Sequence, residues 1–197
     1  MPASPVLAAL KHVWQKLESL NLPTAVMGGI ALAAWQHVRA TRDIDILISL
    51  ESTNLDAVLK LLATARVEPK RRPPVLTLGS LRIVQLQCEA PGTFVDIQID
   101  LLLADNVYQA EALSRRVAIR LPDLDFEVFV LSCEDLLIHK LLAGRIIDRA
   151  DAAALLRLNS ASLDFGYLRQ WTRSLNLESD LTDVWTEALP GQQMPQS

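Results

Sequence analysis

Residues 28–48, GGIALAAWQHVRATRDIDILI, constrain the chain more tightly than any other stretch. The pair Gly28-Gly29 opens an apolar, alanine-rich run whose spacing predicts a helix over residues 30–37. A basic turn, residues 37–42, follows. In residues 42–50, Ile44, Ile46 and Ile48 then alternate with Asp43, Asp45 and Leu47, the period of a strand buried on one face. Ahead of the glycines, residues 24–27 read as a short buried strand. Strand, glycine pair, short helix and strand follow one another with almost no spare chain.

Asp43 and Asp45 lie two apart on one strand, so they share a face with Cα atoms roughly 6–7 Å apart. Carboxylates so placed can hold a divalent cation between them, and Mg²⁺ prefers such hard oxygen ligands together with substrate phosphates. A site of that kind takes a third acid. Two candidates lie on residues 94–103, FVDIQIDLLL, where Asp96, Gln98 and Asp100 share a side. Asp100 meets the fully apolar Leu101-Leu102-Leu103, where an unpaired carboxylate is costly, so it is preferred. Asp96 reads as a supporting or solvent-facing group. The plain alternative is that Asp43 and Asp45 mark the wet face of an antiparallel strand. Against it stand Leu47 on the same face, the second acidic strand, and the glycine pair one helix length upstream.

The glycines have two readings as well. One is a tight turn or close packing of helix on strand. The other is a bare backbone that approaches phosphates with no side chain in the way. No Gly-Lys-Ser/Thr follows, so this is not a Walker loop, and the third glycine of a dinucleotide fingerprint is missing. Arg42 adjoins Asp43 and supports the turn, pairs with a carboxylate or meets a phosphate. His37 reads as a satisfied histidine at a helix end. Lys140 stands in the apolar run LLIHKLLAG, either as a snorkelling lysine on an exposed face or as a point charge for β- and γ-phosphate oxygens. Arg145 is a second candidate for substrate contact. Asp148 and Asp151 read as an ion-pair network that fixes the helices around them.

The rest of the chain supplies a frame. Ser4-Pro5 begins an N-terminal helix. Thr53 with Asp56 fits a capping box. Residues 66–74, RVEPKRRPP, are basic and proline-rich and read as a loop. Strands are expected at 81–86, 94–103, 115–122 and 126–131, with turns at Ala90-Pro91-Gly92 and Pro122-Asp123, and a short helix capped by Asp105 or Asn106. Ser132 and Asp135 open a strongly helical third. The fold class is therefore α/β or α+β, with a core over 1–131, a helical lobe over 132–189 and a polar tail over 190–197. The 197 residues, half of them hydrophobic, suit a globular fold. A formal net charge of −4 argues against a chain coated in nucleic acid. Cys88 and Cys133, without metal spacing, suit a reducing compartment. No basic n-region precedes an apolar leader and no run reaches 18 apolar residues, so a cytoplasmic protein with no membrane span is expected.

Two blocks carry a resemblance. Gly28-Gly29, a helix, then Thr41-Arg42-Asp43-Ile44-Asp45 is similar to the signature of the DNA polymerase β-like nucleotidyltransferase superfamily. Residues 132–145, SCEDLLIHKLLAGR, continued by Asp148-Arg149-Ala150-Asp151, resemble the AbiEii toxin-like and related small nucleotidyltransferases. The resemblance spans about residues 24–156. It implies a mixed central sheet with flanking helices and a C-terminal helical part. It also implies nucleotide phosphates at Gly28-Gly29, Mg²⁺ or Mn²⁺ on Asp43 and Asp45, a third acid at Asp100, and a nucleotide-facing Lys140. Many members carry a serine soon after the glycines, where this chain has Ile30-Ala31, so one phosphate contact is absent or comes from backbone. The implied reaction moves a nucleoside monophosphate from a nucleoside triphosphate to a hydroxyl of a small molecule, protein or RNA, in a defence or toxin–antitoxin setting with a cognate partner protein. The alternative on the same fold is a non-catalytic nucleotide-binding or protein-interaction regulator.

Overall fold

The computed structural model describes residues 4–51, 53–79, 81–89, 92, 94–120 and 126–195. Helix α1 spans Pro5–Glu18 and buries Val6, Ala9, Leu10, Val13, Trp14 and Leu17. Pro5 sits at its start, where a missing N–H is harmless, although the Ser4 side chain makes no capping bond. Strand β1, Thr24–Met27, is buried along its whole length. It runs directly into α2, Gly28–Ala34, and the chain returns as β2, Asp43–Ile48. The glycines therefore form the first turn of α2, and that helix ends three residues before His37.

Helix α3, Leu55–Ala63, is capped by Asn54, whose side chain accepts from the Ala57 N–H, rather than by the expected Thr53–Asp56 box. The basic stretch is not all loop. It contains β3, Val67–Pro69, and leads into β4, Val75–Leu78. Then come β5, Leu81–Glu89, and β6, Asp96–Leu103. Ala90 and Pro91 of the expected turn between them lie outside the described residues, as do Pro122 and Asp123. Helix α4, Val107–Ser114, starts at Asn106, which accepts from the Gln109 N–H. Strands β7, Val117–Arg120, and β8, Glu127–Val130, complete the sheet.

The sheet order is β3-β5-β6-β2-β1-β8-β7, with β4 also paired to β5. Pairings are mixed. β2 is antiparallel to β1 and parallel to β6, and β1 is parallel to β8. β6 pairs with β5 from Ile83 to Glu89, so β3 and β4 share the far edge of β5. That edge tolerates Pro69, because an edge residue has no ladder N–H to lose. Ile44, Ile46 and Ile48 are fully buried, and α1 packs on β2, β6 and α3.

The C-terminal lobe holds α5, Cys133–Ala143, α6, Ile146–Asn159, α7, Phe165–Ser174, and α8, Glu178–Ala188. Ser132 caps α5 as expected. Its hydroxyl accepts from the Asp135 N–H at 3.1 Å and donates to Asp135 Oδ2 at 2.7 Å. Gly144 ends α5 in the left-handed region. Trp35 Nε1 donates to the Leu131 carbonyl, and Asn159 donates to the Trp35 carbonyl, both at 3.0 Å. Those bonds seat the lobe against the end of α2. No helix among the described residues is long and apolar enough to cross a membrane.

Candidate active site

Parallel pairing of β2 with β6 brings the acids together. Asp45 stands opposite Asp100 in the ladder, and Asp43 stands opposite Gln98. Neighbouring strands lie about 4.8 Å apart, so Asp100 is the third acid on the shared face. Asp96 lies at the exposed start of β6, opposite Glu89. Asp45, Asp100, Gly28, Lys140, Arg145 and Asp148 all line one cleft of about 340 Å³. Its remaining wall is largely apolar, from Leu78, Leu81, Ile83 and Leu102 on the sheet and Leu142 on α5.

The three carboxylates have different surroundings. Asp43 Oδ1 accepts from the Thr41 hydroxyl at 2.8 Å. Asp100 accepts from Gln98 Nε2 at 3.0 and 3.2 Å and from Gln85 Nε2 at 3.4 Å. Burial pushes the Asp100 carboxyl up, against the pull of those two amides. Asp45 has no such donor among the described residues. Burial, then the charges of Asp43 and Asp100, push it up to about 6, opposed by the smaller effects of Lys140 and Arg145. A buried acid crowded by two others and given no donor is an environment that a cation relieves. As they stand, no three His, Cys, Asp or Glu side chains among the described residues converge on one point. Hard-oxygen sites for Mg²⁺ commonly use one or two carboxylates and complete the shell with substrate phosphates, so the donor set fits such an ion without a closed protein cage.

The glycines answer first to packing. A Cβ on Gly28 would lie 1.8 Å from Asp45 Oδ2, and Gly28 has φ +64°. A Cβ on Gly29 would lie 2.6 Å from Thr41 Oγ1. The bare α-carbons thus give Asp45 and Thr41 their places, which matches the close-packing reading of the pair.

Lys140 is not a snorkelling surface lysine. It is 5% exposed, and its ammonium bonds Asp148 Oδ1 at 2.9 Å and Asp151 Oδ2 at 2.8 Å. Asp151 also takes Arg39 Nε and Nη2, each at 2.9 Å, and lies 3.2 Å from His37 Nε2. Arg145 Nη2 donates to Asp148 Oδ1 at 3.1 Å while most of its side chain stays exposed at the cleft mouth. Burial alone would raise both aspartates. The bonds from Arg145 and Lys140 on Asp148, and from Arg39 and Lys140 on Asp151, outweigh it and hold both below the ordinary carboxylate range. The expected ion-pair network around Asp148 and Asp151 is present. Arg42, by contrast, is exposed and pairs with no described carboxylate. The turn is held instead by Arg39, three residues earlier. Side chains in strand and turn flip from face to face, and the irregular turn put Arg39 rather than Arg42 toward the lobe.

The family profile described as nucleotidyl transferase AbiEii toxin, type IV toxin–antitoxin system, matches residues 9–159. The chain belongs to the AbiEii family. Among solved structures, this AbiEii-family chain is similar to an antigenic nucleotidyltransferase-like protein from Paracoccidioides brasiliensis, at 20% identity and a TM-score of 0.51, covering 92% of this chain and 93% of that one. It is similar to the antibiotic-resistance factor ANT(2″)-Ia, at 13% identity and a TM-score of 0.54, covering 89% and 93%. It also resembles JHP933 from Helicobacter pylori, at 12% identity and a TM-score of 0.51, covering 98% and 83%. At such identities the likeness is one of fold. A search of curated proteins finds no match. Membership places the chain in the DNA polymerase β-like nucleotidyltransferase superfamily, with the mixed sheet, flanking helices and helical lobe expected of it.

Local pattern gives no role to four side chains found here: Gln85, His139 and Arg39 stand out by neither spacing nor resemblance, and Gln98 does so only as a residue on the side of Asp96 and Asp100. Gln98 carried a usable signal, since it falls on the same two-residue period as Asp96 and Asp100.

Proposed function

We propose that this chain is a metal-dependent nucleotidyltransferase that moves a nucleoside monophosphate from a nucleoside triphosphate to a hydroxyl acceptor. The observation that carries the reading is the side-by-side placement of Asp45 and Asp100 on one wall of a cleft whose other side bears Lys140 and Arg145. Asp43, Asp45 and Asp100 are the residues that would hold Mg²⁺ or Mn²⁺. When bound, that ion supplies Lewis-acid polarisation of the α-phosphate and eases deprotonation of the attacking hydroxyl. The backbone at Gly28 and Gly29 borders the phosphates. Arg145, exposed at the mouth, neutralises the departing pyrophosphate oxygens, and Arg42 reaches the same end of the nucleotide from the turn. Lys140 adds positive potential from below while it stays paired to Asp148 and Asp151. Asp100 holds the acceptor hydroxyl and takes its proton. The hydroxyl oxygen bonds to the α-phosphorus, the bond from that phosphorus to the bridging oxygen breaks, and pyrophosphate leaves. Family membership supports a place in a two-gene toxin–antitoxin pair, with a cognate partner protein. The low net charge favours a small-molecule or protein acceptor over bulk RNA.

A titration of the four nucleoside triphosphates with and without Mg²⁺, comparing wild type with Asp43→Ala, tests this reading. Metal-dependent binding of one nucleotide, lost in the variant, is expected, followed by transfer of α-phosphate label to an acceptor. No binding at millimolar nucleotide overturns it. The pairing of Lys140 with two aspartates favours a second reading, a non-catalytic nucleotide-binding or interaction regulator, which predicts binding without label transfer in any acceptor mixture.

A further inference from the structure

Gln98 stands opposite Asp43 in the β2–β6 ladder and two residues before Asp100, so its amide lies on the face of both acids. Its Nε2 is 3.0 Å from one Asp100 oxygen and 3.2 Å from the other. Its Oε1 accepts from Lys70 Nζ at 2.7 Å. An ammonium only donates and an ionised carboxylate only accepts, so these two partners fix which end of the amide faces which. Gln85, opposite Asp100 on β5, adds a longer bond to the same carboxylate. Asp43 is held through one oxygen by Thr41, and Asp45 receives no donor among the described residues. Of the three acids, Asp100 is the one held through both oxygens.

We propose that Gln98, oriented by Lys70, is the positioning residue for Asp100, fixing the rotation of its carboxylate toward Asp45. The terminal torsion of an aspartate is broad, and β6 alone does not set it. Contact with both oxygens does, and leaves Oδ2, which takes Gln98 alone, a further lone pair for a cation. The Lys70 charge polarises the amide and strengthens its N–H bond to the carboxylate, as successive hydrogen bonds do. Groups that orient a metal-binding carboxylate in this way change metal affinity by about 10–100-fold when removed. The inference rests on the reading of Asp100 as a cation ligand.

Mn²⁺ titrated into the 197-residue chain and followed by electron paramagnetic resonance tests it, with thermal unfolding of each variant alongside. Asp100→Asn establishes whether Asp100 binds the ion. If it does, Gln98→Leu is expected to weaken Mn²⁺ binding about tenfold. Lys70→Met weakens it by a smaller factor, and Lys70→Arg restores it, because arginine keeps a cationic donor for Oε1. Midpoints of unfolding stay close to wild type for the two Lys70 variants, which alter an exposed side chain. Wild-type affinity in Asp100→Asn, or no uptake of millimolar Mn²⁺ by wild type, overturns the reading of Asp100 and the inference with it. Weakened binding in Asp100→Asn but wild-type affinity in a folded Gln98→Leu overturns the inference alone. Equal affinity in Lys70→Met and Lys70→Arg removes Lys70 from it. If Gln98→Leu fails to fold, Gln98→Asn, which keeps the amide but falls short of the carboxylate, is read the same way.

Discussion

Arg39 and Asp151 are joined by two hydrogen bonds of 2.9 Å, from Nε to Oδ1 and from Nη2 to Oδ2, across 112 residues of chain. The turn that delivers β2 is thereby fastened to α6 in the helical lobe. Asp151 is 1% exposed and also takes the Lys140 ammonium. Removing one partner of a buried ion pair leaves the other charge uncompensated, at a cost of roughly 3–5 kcal/mol. Asp151→Ala should lower the unfolding free energy by about that much, and a double-mutant cycle with Arg39→Met in urea unfolding should show strong coupling. Additive losses would mean that the two bonds carry no joint stability.

Gly28→Ala combines two faults. The new methyl would sit 1.8 Å from Asp45 Oδ2, and the backbone stays at φ +64°. The left-handed backbone alone costs about 1–2 kcal/mol for an alanine, and displacement of Asp45 adds to it. Urea unfolding should show a clear loss of stability, and Mg²⁺-dependent nucleotide binding should disappear. Gly191→Ala is the control. Gly191 has φ +79° with open space around its Cβ position, so only the backbone penalty is expected, with binding intact.

His139 is buried, and that burial lowers its pKa from 6.5 to about 4. Its Nε2 has no hydrogen-bond partner among the described residues. The folded protein therefore holds it neutral, whereas the unfolded chain protonates it near its ordinary value. The stability that follows is complete above about pH 6.5 and is lost as pH falls toward 4, by about 3 kcal/mol in all. Asp45, raised to about 6, works in the opposite sense. The wild-type profile therefore has to be compared with that of His139→Leu, in which the Asp45 contribution is retained. The difference between the two unfolding free energies should shift in favour of the variant by about 3 kcal/mol between pH 7 and pH 4. A constant difference would show that His139 does not titrate in this window.

Cys88 and Cys133 are free and buried. Burial, with the nearby Glu134 charge, pushes the Cys133 thiol up to about 12, and burial also raises Cys88. Thiolate is the reactive form. The native chain should leave a chromogenic disulfide reagent at pH 8 almost unreacted over minutes, and both thiols should react at once in guanidinium. Rapid reaction of the native protein would place a cysteine at the surface.

Much of the frame could be read from the residues because local chemistry decides it. Thr24–Met27 is apolar and bounded by Pro23 and Gly28, and it forms β1 at those limits. Ser132 caps α5 because its hydroxyl meets the Asp135 N–H three residues on. Where long-range pairing decides, the residues are less informative. β3 and β4 were hidden because Pro69, Pro73 and Pro74 look like loop, yet β3 has only to reach an outer edge. Gln98 looks like a solvated strand residue until β2 arrives in parallel beside it and Lys70 is brought across from β3. The three acids could be named from spacing and resemblance, but the position of Asp45 opposite Asp100 belongs to the register of two strands some fifty residues apart.

Parallel neighbours cannot be joined by a hairpin, so the chain has to make an excursion between β2 and β6. That excursion contains α3, β3, β4 and β5. It supplies the basic residues 70–72 and the Leu78, Leu81 and Ile83 wall of the cleft. The acids sit at its two ends, pinned by their own ladder. The outer wall of the cleft is therefore a cassette inserted between two fixed points. Its length, charge and shape can be rewritten while the carboxylates stay in place, with the bond from Lys70 to Gln98 as a thread between the two.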